Sequence, residues 1–183
     1  MKNSAFIRIS AALALCAAFS GCASLSKSEC LNANWEDIGI RDGANGQPEE
    51  YLIQHSTACA KVGVTPDRER WLAGRERGLE RFCTPQRAYQ IGEYGGGFDA
   101  GICRNFDPER LRDAYDKGRD VNRLTAEIGA LDNEIRDIHI ILEQKDLEPK
   151  ERERLAFRLG QLVYQRNDAQ RAYDDARYRA RNL

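Results

Sequence analysis

The chain has 183 residues, with 28 Lys and Arg against 29 Asp and Glu, so its formal net charge is only -1. This balance argues against a nucleic-acid-binding protein, which normally carries a strongly basic face. Charged residues make up 31% of the chain and aromatic residues 8%, a composition typical of long solvated helices around a modest core.

The N-terminal segment has the layout of a signal peptide over residues 1–21. Lys2 and Arg8 supply a positive start, and residues 9–19 form an apolar stretch. That stretch is too short to span a bilayer, which needs roughly 20 apolar residues. We therefore expect the leader to be removed rather than kept as a transmembrane helix.

Small residues precede the cysteine in Ser20-Gly21-Cys22, and this segment resembles the lipobox of bacterial lipoproteins. The resemblance implies cleavage before Cys22 and attachment of a diacylglyceryl group and an acyl chain such as palmitate. Several acyl chains together anchor a protein stably in a membrane. Ala23 follows the cysteine in place of aspartate, which implies delivery to the outer membrane of a Gram-negative cell, facing the periplasm. The alternative is an ordinary secretory peptide cleaved near Ala18 or Ala23.

Composition divides the mature chain near Asp107. Residues 22–29 are a short Ser/Lys tether, and residues 30–106 hold most of the glycines and both tryptophans. Residues 107–183 are rich in charge, contain no cysteine and have regularly spaced apolar residues. We predict a lipidated tether, a Gly/Cys-rich disulfide domain and a helical hairpin.

Cysteines remain at four positions once Cys16 leaves with the leader and Cys22 carries lipid: Cys30, Cys59, Cys83 and Cys103. An even number in an oxidising compartment predicts two disulfides, with three possible pairings. We favour Cys30 with Cys59 and Cys83 with Cys103, because sequence neighbours close the shortest loops. Each loop would contribute about 3 kcal/mol in the chain-entropy model. The alternative, a zinc site that includes His55, lacks the spacings of zinc proteins.

The start of the disulfide domain is predicted to be a short helical turn over residues 35–39 that runs into a glycine-rich loop. Asp42-Gly43 and Asn45-Gly46 are the turn signals in that loop. Aspartate and asparagine beside glycine could also bind calcium, but the pattern falls short of a calcium-binding loop.

Two longer helices are predicted next. The first begins at Pro48 and ends near Gly63, and the second has Thr65 as its N-cap with Pro66 at its first position and runs to about Phe82. Consecutive helices joined by a short loop are expected to form a helical hairpin.

An aromatic residue recurs three positions before a glycine, in the pairs Trp71 and Gly74, Tyr89 and Gly92, and Tyr115 and Gly118. Glycine costs about 1 kcal/mol inside a helix relative to alanine, so close packing against each glycine is expected. The glycines at 95–97 could instead form a phosphate-binding loop, but they lack the lysine and the strand-to-helix context of such loops. A flexible turn is expected there.

Residues 22–106 resemble a family of small bacterial lipoproteins that is catalogued only as a domain of unknown function. The matching series is Cys30, Trp35, Gly39, Asp42-Gly43, Gly46, His55, Cys59, Trp71-x-x-Gly74-Arg75-x-x-Gly78-Leu79-x-x-Phe82-Cys83-x-Pro85, Tyr89-x-x-Gly92 and Gly101-x-Cys103. The resemblance implies no activity, cofactor or catalytic residue.

Residues 107–183 show two apolar seams with the alternating spacing of a coiled coil. The first comprises Leu111, Ala114, Gly118, Val121, Leu124, Ile128, Leu131, Ile135, Ile138 and Leu142; the second comprises Leu155, Leu159, Leu162, Arg166, Ala169, Tyr173, Ala176 and Ala180. A break at 146–149 predicts an antiparallel hairpin with Ile135 near Leu162. Ile140, Ile141 and Val163 widen the apolar face, for internal packing or, alternatively, for a partner.

No catalytic constellation is evident. His55 and His139 are the only histidines, and His139 sits in a seam region where a packed side chain is the ordinary outcome. His55 and Cys59 could form a nucleophile pair only if the thiol were free. We therefore predict no catalytic residue, metal ligand or cofactor, and a protein that is not an enzyme.

Together these patterns predict a mainly α protein, a small disulfide-braced domain followed by a long coiled-coil hairpin. Its expected role is a structural or protein-interaction module of the cell envelope. The lipid on Cys22 would hold it to the membrane, and the hairpin would bind an envelope protein or a second copy. The alternative is a periplasmic binding module for a cell-wall fragment or peptide, with Trp35, Trp71 and Tyr94 at its site.

Overall fold

A computed structural model describes residues 23–183, which are mainly α-helical, contain two disulfides and form no β-strand. The helices are α1 (Lys27–Leu31), α2 (Trp35–Ala44), α3 (Tyr51–Ala60), α4 (Arg68–Phe82), α5 (Pro85–Glu93), α6 (Pro108–Leu142) and α7 (Pro149–Arg179), with 3₁₀ turns at Ala100–Cys103 and Ala180–Asn182. None of these helices has the length and apolar character needed to cross a membrane. The predicted leader and Cys22 lie outside the described residues.

Side-chain caps define where most of these helices begin. The Asp107 side chain accepts from Arg110 N at 3.0 Å ahead of Pro108, as the sequence predicts for α6. The N-cap of α4 is Asp67, which accepts from Arg70 N at 3.1 Å, so α4 begins later than the predicted start at Thr65. At α1, Ser26 and Glu29 form a capping box, whose hydrogen bonds hold the pKa of Glu29 below its usual range.

Helix α2 is longer than predicted. Asp42-Gly43 lies within the helix, so the glycine-rich loop predicted to follow residues 35–39 is wrong at these two residues. Only Asn45-Gly46 ends the helix as expected, with Gly46 at a φ of 70°. The low helix propensity of glycine is offset because Gly39 and Gly43, one turn apart, both face another helix.

That other helix is α4, and the two backbones touch. A Cβ on Gly39 would overlap the Trp71 carbonyl oxygen, and a Cβ on Gly74 would overlap the Glu36 carbonyl oxygen. Gly43 and Gly78 meet backbone atoms in the same way one turn along. The main partner of α4 is therefore α2, and the predicted hairpin of α3 with α4 is wrong.

A second glycine crossing joins α5 to α6. A Cβ on Gly92 would overlap the Tyr115 carbonyl oxygen and lie 2.9 Å from Arg119 N, while a Cβ on Gly118 would overlap the Tyr89 carbonyl oxygen. The close packing predicted from the aromatic-x-x-Gly spacing is thus confirmed at Gly74, Gly92 and Gly118.

Both favoured disulfides are present. Cys30–Cys59 links α1 to α3 with a Cα–Cα distance of 5.3 Å, and Cys83–Cys103 links the end of α4 to the 3₁₀ turn at 5.6 Å. Each bridge lies in its own apolar cluster, one around Trp71 and one around Leu79 and Leu111. The sulfurs therefore extend two small cores as well as cross-linking them.

The N-terminal tether is much shorter than the predicted span of 22–29. Leu25 is only 3% exposed and packs in the same cluster as Trp35 and Trp71. Helix α1 begins at Lys27. Residues 24–29 thus belong to the folded part of the described chain, which the sequence predicted to begin at Cys30.

Helices α6 and α7 contact each other outside the disulfide domain of residues 30–106. Arg152 donates to the Leu142 carbonyl at 2.5 Å, Arg158 pairs with Glu134, and Arg166 pairs with Asp132. Buried seam residues on the two helices are Leu111, Ala114, Gly118, Val121, Leu124, Ile138, Leu162, Ala169 and Ala176. Near the domain, Ala176 packs with Val121 and Leu124, and Arg177 bonds to Tyr89 of α5.

We expect Gly74→Ala to destabilise the mature chain by about 1–3 kcal/mol, because the added methyl group must push the α2 backbone away. Urea unfolding followed by circular dichroism measures the change. Gly129→Ala on α6 is the matched control, since nothing lies within 4 Å of its Cβ position. It should leave stability unchanged or raise it by up to about 1 kcal/mol. Equal effects of the two changes would contradict the glycine crossing.

Candidate functional site

The most concentrated polar cluster of the domain is a chain of hydrogen bonds among Ser24, His55, Asp42 and Trp71. The Asp42 Oδ2 atom lies 2.8 Å from both His55 Nε2 and Trp71 Nε1, and His55 Nδ1 lies 2.8 Å from Ser24 Oγ. His55 and Trp71 are fully buried and Asp42 is 4% exposed. We name these residues the polar centre.

Four separate segments supply the polar centre. Asp42 lies beside Gly43 on α2, and Trp71 begins the aromatic-x-x-Gly motif of α4, so the glycine crossing brings carboxylate and indole together. His55 lies one turn before Cys59 on α3, which the disulfide holds against α1. Ser24 comes from the segment before α1. The polar centre therefore forms only when these segments have packed.

The hydrogen bonds set the role of each group. The Trp71 indole N–H can only donate, so Asp42 Oδ2 accepts from it. His55 Nε2 faces the same carboxylate, which only accepts, so Nε2 donates to Asp42; the direction of the bond between Nδ1 and the Ser24 hydroxyl depends on the protonation of the ring. Because these buried groups are hydrogen-bonded, burying them leaves no polar group of the cluster unpaired. Two of the bonds tie α3 and α4 to Asp42, and the third ties the segment before α1 to His55.

Serine, histidine and aspartate joined in this order by hydrogen bonds are also the components of a hydrolytic triad. Here the His55 ring is 0% exposed, and Asp42 accepts from the Trp71 indole as well as bonding to His55. Cys59 is disulfide-bonded, so it cannot act as the nucleophile of a Cys/His pair. The polar centre is suited to holding segments together.

The alternative zinc site fares no better, because each candidate ligand is already engaged. Cys30 and Cys59 are bonded to each other and His55 bonds to Asp42 and Ser24. Among residues 23–183, no group of three or more His, Cys, Asp or Glu side chains is placed to hold a metal ion.

The aromatic residues proposed for ligand binding do not share a surface. Trp35 and Trp71 are in the α1–α4 core at 7% and 0% exposure, whereas Tyr94 is 84% exposed at the end of α5. The glycines that follow Tyr94 close that helix: Gly95 has a φ of 74° and Gly96 N donates to the Ile91 carbonyl at 2.8 Å. The turn predicted at residues 95–97 is present at Tyr94 and Gly95, and residues 96–97 continue as irregular chain.

A polar cavity of about 530 Å³ lies between the start of α3, α4 and the 3₁₀ turn. Its wall includes Glu50, Arg75, Glu76, Arg104 and Asn105. Arg75 donates to the Gln47 carbonyl at 2.7 Å and Asn105 donates to Glu76 at 2.6 Å, so part of this lining is already satisfied. No sequence motif pointed to this cavity, because its lining comes from segments far apart in the chain.

The comparisons with known proteins bear on the domain and not on its chemistry. Residues 34–120 match the family described as Protein of unknown function (DUF2799). This segment of the chain is similar to that family. The predicted resemblance to a family of unknown function is thereby confirmed, although the matched segment begins later than residue 22 and extends into α6. No curated protein and no solved structure matches the chain.

The DUF2799 segment contains the glycines of both helix crossings and Asp42, His55 and Trp71 of the polar centre. Ser24, Cys30 and the whole of α7 lie outside it. The polar centre does not follow from local sequence signals, because Asp42-Gly43 is typical of a turn and here lies within α2. The equal four-residue spacings Gly39 to Gly43 and Gly74 to Gly78 were the signal that could have indicated a helix crossing.

We expect Trp71→Phe to cost about 1–3 kcal/mol of stability beyond its loss of volume, because buried Asp42 loses a donor. Trp35→Phe is the matched control, since it makes the same change in the same core away from Asp42. Chemical unfolding of both variants measures the difference. Equal losses would show that the indole hydrogen bond adds nothing to the ring's packing.

Proposed function

We propose that the protein is a lipoprotein of the bacterial outer membrane, anchored through Cys22 and facing the periplasm, that acts as a structural or protein-interaction module of the cell envelope. The observation that carries the proposal is the packing of Leu25 and Ser24 into the domain, directly after the predicted lipidation site. The signal-peptide pattern and the paired cysteines, which suit an oxidising compartment, support it further.

The short connection determines how such an anchor would act. Cys22 and Ser24 are two residues apart, so their Cα atoms are at most roughly 7 Å from each other. Acyl chains on Cys22 would then enter the bilayer next to the α1–α3 part of the domain. The domain would be held against the membrane surface, because no long flexible linker would separate it from the acyl chains.

We further propose that α6 and α7 form an antiparallel helical hairpin. Their contacts run in opposite directions along the chain: Leu142 with Arg152, Glu134 with Arg158, and Asp132 with Arg166. With 35 residues, α6 is about 50 Å long. Since α5 packs across the first half of α6, the hairpin would be a rigid extension of the domain that presents a long surface to partners.

We expect Cys22→Ala to abolish incorporation of a labelled fatty acid and to release soluble protein that retains both disulfides. Metabolic labelling and membrane fractionation of the full-length protein measure this, with thiol alkylation as the check on the disulfides. Cys16→Ala is the matched control, because it changes a leader cysteine that is not the predicted acceptor. The proposed anchor would be contradicted if the Cys22→Ala protein were acylated or if the wild-type protein were not.

The polar cavity favours a second candidate function, a binding module for a cell-wall fragment or peptide. Its lining offers both acidic and basic side chains, which suits a zwitterionic peptide. The site would be different from the one predicted around Trp35, Trp71 and Tyr94.

If this second function holds, Arg104→Ala should reduce co-sedimentation with purified peptidoglycan by about tenfold, the loss expected for one charge-assisted contact of roughly 1.4 kcal/mol. Arg154→Ala on α7 removes a comparable exposed arginine far along the chain and serves as control. No sedimentation of the wild type would eliminate peptidoglycan as the ligand.

A further inference from the structure

One face of α7 carries apolar side chains that nothing in the described chain covers. Phe157 is 70% exposed and Tyr164 is 69% exposed, and Gly160 between them has nothing within 4 Å of its Cβ position. The face continues along the helix in alternating steps of four and three residues, and we name it the outer stripe: Glu153, Phe157, Gly160, Tyr164, Asn167 and Arg171, all exposed.

Most of the outer stripe points away from α6, and Tyr164 at its centre also borders a groove with Leu124 and Leu131 of α6. The residues of α7 that are buried are Leu162, Ala169 and Ala176. At about 100° per residue, Leu162 lies on the opposite side of the helix from Gly160. The spacing of the stripe is that of a coiled-coil seam, so α7 has one seam against α6 and a second that faces outward.

The glycine in this stripe departs from the pattern of the domain. Six of the eight glycines within α2 to α7 are pressed against the backbone of another helix: Gly39, Gly43, Gly74, Gly78, Gly92 and Gly118. Phe157-x-x-Gly160 repeats the aromatic-x-x-Gly spacing found at three of those contacts. A glycine inside a helix costs about 1 kcal/mol relative to alanine, and at these six positions a packed partner helix offsets this cost, whereas Gly129 and Gly160 have no such partner in the described chain.

We propose that the outer stripe binds the outer stripe of a second copy of this chain, with the two α7 helices antiparallel around a two-fold axis. This inference rests on the proposed role as an interaction module and names its partner. In the register that sets Tyr164 of each copy over Gly160 of the other, Phe157 faces Asn167 and Glu153 faces Arg171. Each contact occurs twice, as two-fold symmetry requires.

The charges at the two ends of the outer stripe favour antiparallel over parallel pairing. Antiparallel pairing in that register places opposite charges together at both ends of the stripe, whereas parallel pairing sets Glu153 against Glu153 and Arg171 against Arg171. Arg171 also pairs with Asp168 of its own helix at 2.9 Å, with both side chains more than half exposed. The charges therefore set the register, while the aromatic rings and Gly160 supply the packing.

The geometry constrains how the pair sits on a membrane. With both copies anchored in one leaflet, the two-fold axis is normal to the bilayer. The two antiparallel α7 helices are perpendicular to that axis, so they lie parallel to the membrane surface. The pair therefore links two anchors without needing any further protein.

The test uses charge reversal in the mature chain, with self-association measured by sedimentation equilibrium. Glu153→Arg and Arg171→Glu should each weaken self-association by about tenfold, because like charges then meet at both ends. A mixture of the two single variants should associate again, since each reversed charge faces its opposite in the other chain. Tyr94→Ser, an exposed aromatic outside the stripe, should have no effect.

A photo-crosslinker at position 164 of the full-length protein, in its own membrane, should yield a crosslinked dimer of two copies of this chain. A monomer at all concentrations with no such crosslink, or an association that charge reversal does not change, would overturn the proposal. Binding of the monomer to vesicles of phosphatidylethanolamine and phosphatidylglycerol through Phe157 and Tyr164 would overturn it too. Since the mature chain is assayed without its lipid, failure of the Cys22 anchor leaves this result unaffected.

Discussion

The close contact of the α2 and α4 backbones is the constraint on which the rest of the domain depends. Four glycines make it possible, and no other residue fits at these positions without moving a backbone. Because the two helices touch, the Asp42 carboxylate reaches the Trp71 indole, and His55 reaches the same carboxylate from α3. A core with few large side chains is thus held together by short polar contacts and a disulfide.

A second contact between glycines on two helices joins the domain to the long helix α6. Gly92 and Gly118 let α5 lie directly on α6, and α6 continues without interruption to Leu142. Tyr89 connects this crossing to α7 through Arg177, and burial raises the pKa of the Tyr89 phenol. The segment that matches DUF2799 ends at residue 120, within the first half of α6, and the helix continues beyond it to Leu142.

Local sequence signals predicted those features that depend on neighbours in the chain. The disulfides follow from cysteine count and spacing, and the helix start at Asp107-Pro108 follows from capping chemistry. Helix α2 was not predictable in this way, because Gly39 and Gly43 have low helix propensity and only α4, more than 30 residues later, offsets it. Likewise, nothing local shows that Leu25 is a core residue or that Trp71 is fully buried while Tyr94 is exposed.

If the proposed anchor and hairpin are correct, the glycine crossings give the envelope a rigid unit whose membrane end is Ser24 and whose free surface is α7. Hydrogen exchange of the two indole N–H groups, measured by NMR on isotope-labelled protein, tests the underlying account most directly. The Trp71 indole should exchange only on global unfolding, because it is buried and donates to Asp42, whereas the Trp35 indole should exchange faster. Rapid exchange at Trp71, at a rate equal to that of Trp35, would contradict the claim that the polar centre and the glycine crossing form one unit.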